Sequence, residues 1–197
     1  MRIPTDKEIR ALHEEFAPTR AAFELVHTHC EIVCKVAEQL LRNQPSANAD
    51  LVRAGCLLHD IGVYRLYDQN GVLDHTRYIQ HGVLGQDLLR DQGFPEILCR
   101  FCSHHTGVGL TREDVQKQNL PIPIDDYLAD TPEEELVMYA DKFHSKSNPP
   151  VFVSADTYAI KVRRFGDDKA AKFADFRARY GDPDLLALQD TYVHGTI

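Results

Sequence analysis

Apolar residues recur at helical spacing in nearly every segment of this 197-residue chain, whereas the strict alternation of a half-buried strand is scarce. That property restricts the fold to packed helices. A short amphipathic helix is expected over 5–16. Pro18 opens a long one reaching about Asn43, with Ala22, Val26, Val33, Val36, Ala37 and Leu40 as its apolar stripe. Ser46 to Asp60 comes next, stopped by Gly62; then Thr76 to Gln92, closed by Gly93; then Pro95 to His105, with proline in the first turn. Thr111 starts a short helix, and the proline- and aspartate-rich stretch 119–130 reads as a loop. Thr131-Pro132-Glu133-Glu134 predicts an N-cap, a proline at N1 and a capping box for a helix running through Asp141 to about Lys146. Asn148-Pro149-Pro150 then breaks the chain, and two or three helices fill 154–190, interrupted at Gly166 and at Gly181-Asp182-Pro183. Only Val151-Phe152-Val153 is β-like, and it is too short to anchor a sheet. The expected architecture is an all-α helical bundle forming one domain over 1–197, with a core at about 20–145 and a C-terminal helical extension at about 150–197.

Charge narrows the partners. Thirty acidic residues against 22 Lys and Arg leave a formal charge of −8, which argues against long nucleic acid or an anionic membrane as the ligand. No apolar run approaches the roughly 20 residues of a membrane span, and MRIPTDKEIR lacks a signal-peptide core, so a cytoplasmic enzyme is expected. The five cysteines, Cys30, Cys34, Cys56, Cys99 and Cys102, make a poor disulfide framework. Cys99 and Cys102 form a C-x-x-C with no second pair to complete a zinc site, and buried small hydrophobes are the better reading than redox chemistry.

The ten histidines are the unusual feature. His29 falls on the apolar stripe of its helix, three residues after Val26 and four before Val33, whereas His27 points about 200° away from it. A lone histidine on such a face is ordinarily a satisfied core residue. The helix ending at Leu57-Leu58 delivers His59 and Asp60 consecutively, and a buried carboxylate and imidazole need compensation. A metal ion supplies it, and so would mutual pairing or capping of a neighbour. Asp141 leaves the all-apolar run Leu136–Ala140 in the same way, His81 lies on a face with Tyr78, Gly85 and Leu88, and His105 comes after Phe101 and Cys102. Each is weak alone; together four imidazoles and two carboxylates on five helices make about the donor set of a two-metal site.

The order of His29, then His59-Asp60 within LLHDIG, then Asp141 within YADK resembles the HD superfamily of metal-dependent phosphohydrolases. The segments HCEIVCKVA (29–37), HGVLGQDLL (81–89), HHTGVGLTREDVQKQNLPIPIDDYL (104–128) and TPEEELVMYADKF (131–143) are similar to a prokaryotic HDIG subfamily of uncharacterised HD-domain proteins. The resemblance implies an HD-domain helical bundle with a metal site in its core. It assigns His29, His59, Asp60 and Asp141 to a first divalent transition metal, and His81 and His105 to a second, with Asp60 bridging. Bacterial diadenosine tetraphosphate hydrolases of HD type share a similar six-ligand pattern, but the interval from His105 to Asp141 is longer here, so their substrate does not transfer.

Histidine and carboxylate donors suit Mn or Fe, with Co, Ni and Zn as alternatives, better than Mg alone. The implied activity is hydrolysis of a small nucleotide or other phosphoester by a metal-activated water. Asp60 is the expected catalytic centre, with Lys142 and Arg65 as phosphate contacts and His104 and Lys35 as weaker candidates. Lys161, Arg163, Arg164, Lys169 and Lys172 form a basic tail, read as a solvated face in preference to a phosphate patch. Two rival functions use the same residues: a di-iron oxygenase, and a non-catalytic nucleotide- or metal-binding sensor. Substrate, native metal, ion count and oligomeric state are not legible in the sequence.

Overall fold

Helix starts in this chain are chemically marked. In the computed structural model, which describes residues 2–197, Thr5, Thr19, Asn48, Thr111, Thr131 and Ser154 each accept a backbone N–H in the first turn of a helix. Met1 lies outside the described residues. The helices are α1 (Asp6–Phe16), α2 (Arg20–Leu40), α3 (Ala49–Leu58), α4 (His81–Asp91), α5 (Glu96–Ser103), α6 (Arg112–Lys117), α7 (Pro132–Asp141), α8 (Ala155–Val162), α9 (Asp167–Tyr180) and α10 (Leu186–Tyr192). The architecture is all-α, with α2, α3 and α7 packed on one another and α4 against α5. One apolar cluster runs from Ile9 to Leu188. Among the described residues no helix is long and apolar enough to cross a membrane.

Four boundaries depart from the sequence expectation, each for a local reason. The segment before His81 is a separate 3-10 helix, His75–Gln80, started by the Asp74 side chain, so His81 opens α4 instead of lying inside a longer helix. The predicted capping box at Thr131 is only half made. Thr131 accepts from the Glu134 N–H at 3.2 Å, but the buried Glu134 carboxylate goes to Arg100, at 2.6 Å, and to the Asp130 N–H, at 2.7 Å. Helix α7 ends at Asp141, not near Lys146. The chain instead extends into β1 (His144–Ser145), which pairs antiparallel with β2 (Val151–Phe152); β2 pairs parallel with β3 (Gly195–Thr196). The β-like Val151-Phe152 therefore does join a sheet, a miniature one completed by a segment some 40 residues on that no local pattern announces.

Two packing features hold the polar centre of the bundle in position. Gly62, in the 3-10 turn Ile61–Leu66, lies so close to α4 that a Cβ would collide with the His81 carbonyl and the Gly85 backbone. This contact sets His81 over Asp60. On the other side, Tyr139 of α7 is surrounded by Phe143 (4.9 Å between ring centroids), Phe173 (5.5 Å), Tyr180 (5.7 Å) and Phe176 (6.0 Å), and its hydroxyl donates to the Gly181 carbonyl at 2.9 Å. The helix carrying Asp141 is thus clamped by α9.

Both the tight turn and the buried core can be probed by unfolding. Gly62→Ala pushes α4 off the turn and costs about 1–3 kcal/mol or more in urea, the usual range for overpacking. His13, fully buried, lies 2.7 Å from the Leu57 carbonyl through Nε2 and 2.8 Å from the Tyr64 hydroxyl through Nδ1, a pairing that suits the neutral ring. Burial pushes its pKa from 6.5 down to about 4. Between those two values the unfolded chain binds a proton that the folded protein refuses, so stability is lost as pH falls through that window, by about 3 kcal/mol in all. Above pH 6.5 the contribution is complete. Unfolding curves from about pH 7 to 4 should fall more steeply for the wild type than for His13→Gln; parallel curves would contradict this.

Candidate metal centre

Six side chains from separate places in the sequence converge in the interior of the bundle. His29 lies mid-α2, His59 comes just after α3, Asp60 enters the 3-10 turn, His81 opens α4, His105 lies just past α5, and Asp141 ends α7. All but Asp141 are buried. His29 Nε2 stands 3.0 Å from Asp141 Oδ1, 3.2 Å from Asp60 Oδ2 and 3.3 Å from His59 Nε2. His59 Nε2 is 3.4 Å from Asp60 Oδ2 and 3.6 Å from Asp141 Oδ1. Around the other Asp60 oxygen, Oδ1, His81 Nε2 lies at 3.4 Å and His105 Nε2 at 3.6 Å, with 3.0 Å between the two nitrogens. Donors held about 2.0–2.2 Å from one transition-metal ion are themselves separated by about 2.8–3.6 Å, which these spacings match. Two triads, His29-His59-Asp141 and His59-Asp60-His105, have donor atoms all within 4.8 Å of one another and could each hold an ion.

The proton positions sharpen the fit. His59 Nδ1 is 2.7 Å from the Cys56 carbonyl, His81 Nδ1 2.6 Å from that of Tyr78, and His105 Nδ1 3.0 Å from that of Phe101. A carbonyl only accepts, so each Nδ1 carries the hydrogen, and in the neutral ring each Nε2 presents a lone pair to the cluster. Helix ends make this possible for His59 and His105, since the last carbonyls of an α-helix have no intrahelical partner; the Tyr78 carbonyl accepts the His81 backbone N–H as well. Asp60 Oδ1 is buried with no hydrogen-bond donor. It faces two acceptor nitrogens, an arrangement that a cation resolves and hydrogen bonding cannot. The residues present therefore fit a bound divalent metal.

Charge obeys the same geometry. Burial raises the carboxyls of Asp60 and Asp141, but Lys146 and His59 beside the first and Lys142 beside the second hold both well below the usual carboxylate range. Burial pushes His81 and His105 down, which keeps them neutral. Burial opposes charge on His59 too, yet Asp60 and Asp141 lift it well above its ordinary value. Lys142 Nζ donates to Asp141 Oδ2 at 2.7 Å and to the His105 carbonyl at 3.1 Å, so it ties α7 to the end of α5. Lys146 pairs with Asp60 Oδ2 and lies 6.0 Å from the Tyr78 ring centroid.

Several residues singled out from the sequence are elsewhere. Arg65 is exposed on the far side of the 3-10 turn, 5.7 Å from the Phe16 ring, because Tyr64 and Leu66 take the inward positions. The structure does not bring it to the cluster. Lys35 is on the surface with Glu38, at 2.9 Å. His104 turns away from the cluster to Ser103 Oγ, at 2.5 Å, and the Tyr127 ring. His27 faces α1, against Phe23 and His13. Cys99 and Cys102 are buried free thiols that donate to the carbonyls of Phe94 and Leu58. Of the basic tail, Lys169 is buried on Asp114 and Lys172 pairs with Glu135, whereas Lys161 reaches the cleft beside the cluster. Sequence reasoning misses His144, Lys146 and His194. The one available signal is the alternation of His144 and Lys146 across Ser145, which places both on one side of an extended segment.

A cleft of about 690 Å³ opens onto Asp141, walled by Tyr67, Tyr78 and Tyr158 and carrying Lys142, Lys146 and Lys161. That volume suits a small-molecule ligand.

The model of the HD domain family matches residues 26–146. A tRNA (cytidine(56)-2'-O)-methyltransferase of Picrophilus torridus is 36% identical over 124 residues, 63% of this chain and 33% of that protein. An uncharacterised protein of Methanocaldococcus jannaschii is 38% identical over 122 residues, 60% of this chain and 65% of its own length. A methyltransferase of the same name from Thermoplasma volcanium is 32% identical over 156 residues, 79% of this chain and 42% of that protein. The chain thus spans from a third to about two thirds of these relatives. Among solved structures, the HD domain of the L. monocytogenes phosphodiesterase PgpH superposes with a TM-score of 0.53 at 18% identity, covering 94% of this chain and 99% of that one. At that identity the likeness is one of fold.

The Lys146–Asp60 pair generates a test in chelator-treated protein. Lys146→Met strands a buried carboxylate and lowers unfolding stability by about 3–5 kcal/mol, and adding Asp60→Asn recovers most of it. Additive losses in the double variant would show that the two groups do not interact.

Proposed function

The chain belongs to the HD domain family, and from that premise we propose that it is a divalent-metal-dependent phosphohydrolase acting on a small nucleotide or similar phosphoester. We read residues 2–197 as one HD domain with a C-terminal extension, consistent with the single apolar cluster. His29, His59, Asp60 and Asp141 would hold a first ion and His81 and His105 a second, with Asp60 shared between them. The observation that carries this reading is the Asp60 carboxylate, each of whose oxygens faces a different set of imidazole nitrogens. Mn or Fe suits these donors best, with Co, Ni and Zn acceptable. Bound there, such ions supply Lewis-acid stabilisation of phosphoryl charge and a water acidic enough to attack at neutral pH.

The chain's own groups account for binding and orientation. Lys142, fixed between Asp141 and the His105 carbonyl, carries a pKa raised by the Asp141 charge against the effect of burial, and stays cationic beside the phosphoryl site. Lys146 and the exposed Lys161 extend the positive wall of the cleft. The tyrosine walls give a ring or sugar an apolar face to pack on. Bidentate arginine recognition plays no part in this arrangement; point-charge lysines hold the phosphate, which accommodates several phosphoester geometries. The methyltransferase names describe proteins of which this chain matches 33% and 42%, so methyl transfer is not assigned to the shared segment.

A panel of nucleotides and phosphoesters, run with Mn and with Fe, tests the proposal. Release of phosphate or of the ester's alcohol is expected only with added or retained metal, and Asp60→Ala should abolish it, since loss of that carboxylate removes charge and geometry together. Wild-type protein should bind close to two equivalents, and His81→Ala close to one. Dioxygen uptake with iron, and release of neither phosphate nor alcohol from any substrate, would move the same residues to oxygenase chemistry.

A further inference from the structure

Three of the four imidazoles in the cluster are oriented by a carbonyl three or four residues back on their own backbone. His29 lies mid-helix, where carbonyls are engaged by the N–H four residues on, so its Nδ1 needs a partner from elsewhere. That partner is His144 Nδ1, at 2.8 Å; His144 Nε2 in turn lies 3.0 Å from His194 Nδ1. The rings meet head to head, 5.1 Å between centroids in both pairs, with planes 32° and 19° apart. In-plane lone pairs require such an approach. His144 is buried in β1 with the Phe152 ring 5.2 Å away, and half-buried His194 immediately precedes β3. The small sheet therefore brings these two histidines together behind His29, and His194 lies beyond the segment that the family model matches.

Building on the metal-dependent reading of the centre, we propose that His144 and His194 are positioning residues for His29, so that the segment carrying β2 and β3 is a working part of the first metal site. When His29 Nε2 serves a cation, its hydrogen sits on Nδ1 and is donated to His144 Nδ1. His144 then carries its hydrogen on Nε2 and donates it to His194 Nδ1. When no cation is bound, the neutral His29 ring gives its Nε2 hydrogen to Asp141 Oδ1, 3.0 Å away, and the line of donors runs the other way. Loading the site thus moves the hydrogen of His144 from Nδ1 to Nε2, an exchange of tautomers that leaves each ring neutral. His29 is held at the angle its metal needs by a chain of bonds ending in a different part of the sequence.

The test is histidine nitrogen NMR on the full chain before and after zinc, together with cobalt titrations of variants read by visible absorption. Zinc should convert His144 Nδ1 from an N–H to a lone-pair nitrogen and Nε2 the reverse. His144→Leu should weaken first-site cobalt affinity roughly 10- to 100-fold, the usual effect of losing a ligand's outer partner. His144→Gln, whose amide oxygen still accepts from His29, should retain most of the affinity. His194→Ala, at the half-buried edge, should lose less than His144→Leu but measurably, and it decides the matter if His144→Leu does not fold. Unchanged His144 tautomers in protein shown to hold zinc, or wild-type cobalt affinity in folded His144→Leu or His194→Ala, would overturn the inference while leaving the metal centre standing. Failure of the wild type to bind either ion would instead overturn the metal reading itself, and this inference with it.

Discussion

The structure turns on one carboxylate. Asp60 is buried at the end of α3 with imidazole nitrogens around both of its oxygens, and one oxygen has no hydrogen-bond donor. A lone charge in that position would be prohibitively unfavourable. The surrounding architecture compensates for it: Lys146 arrives from just past β1, His59 from the preceding residue, and His81 from a helix packed so tightly on the Asp60 turn that Gly62 cannot carry a side chain.

Helix ends do much of the chemical preparation. Carbonyls at or near the ends of α3, α5 and the 3-10 helix before α4 accept from His59, His105 and His81. At α3 and α5 an unmet need of the helix becomes a fixed tautomer for the ring, so the same residue finishes the secondary structure and points a lone pair at the centre. His29 is the exception, being mid-helix: its Nδ1 meets His144 of β1, which in turn meets His194 near the C-terminus. The aromatic packing of α9 around Tyr139 and the sheet joining β1 to β3 both run from residues after 150 to the two elements flanking Asp141.

Local pattern by itself indicated the helical class and most helix starts and put forward the six convergent side chains, which the family resemblance then assigned as ligands, because helical periodicity and capping are short-range and polar residues on apolar faces stand out in one dimension. His29 could be separated from His27 on angle alone. Phosphate-contacting cations were legible only in part: Lys142 adjoins Asp141 in sequence and remains beside it, but Arg65, five residues past Asp60, faces outward because Tyr64 and Leu66 take the buried positions of the 3-10 turn. The end of α7, the half-made cap at Thr131 and the three-stranded sheet depended on distant partners, Arg100 for Glu134 and the Gly195-Thr196 segment for β2. Only the tertiary structure decided that His144 and His194 stand behind His29 and that Lys146 meets Asp60 at the cleft, since each is placed by contacts spanning 50 or more residues, and no periodicity in a sequence records which distant segment will supply a partner.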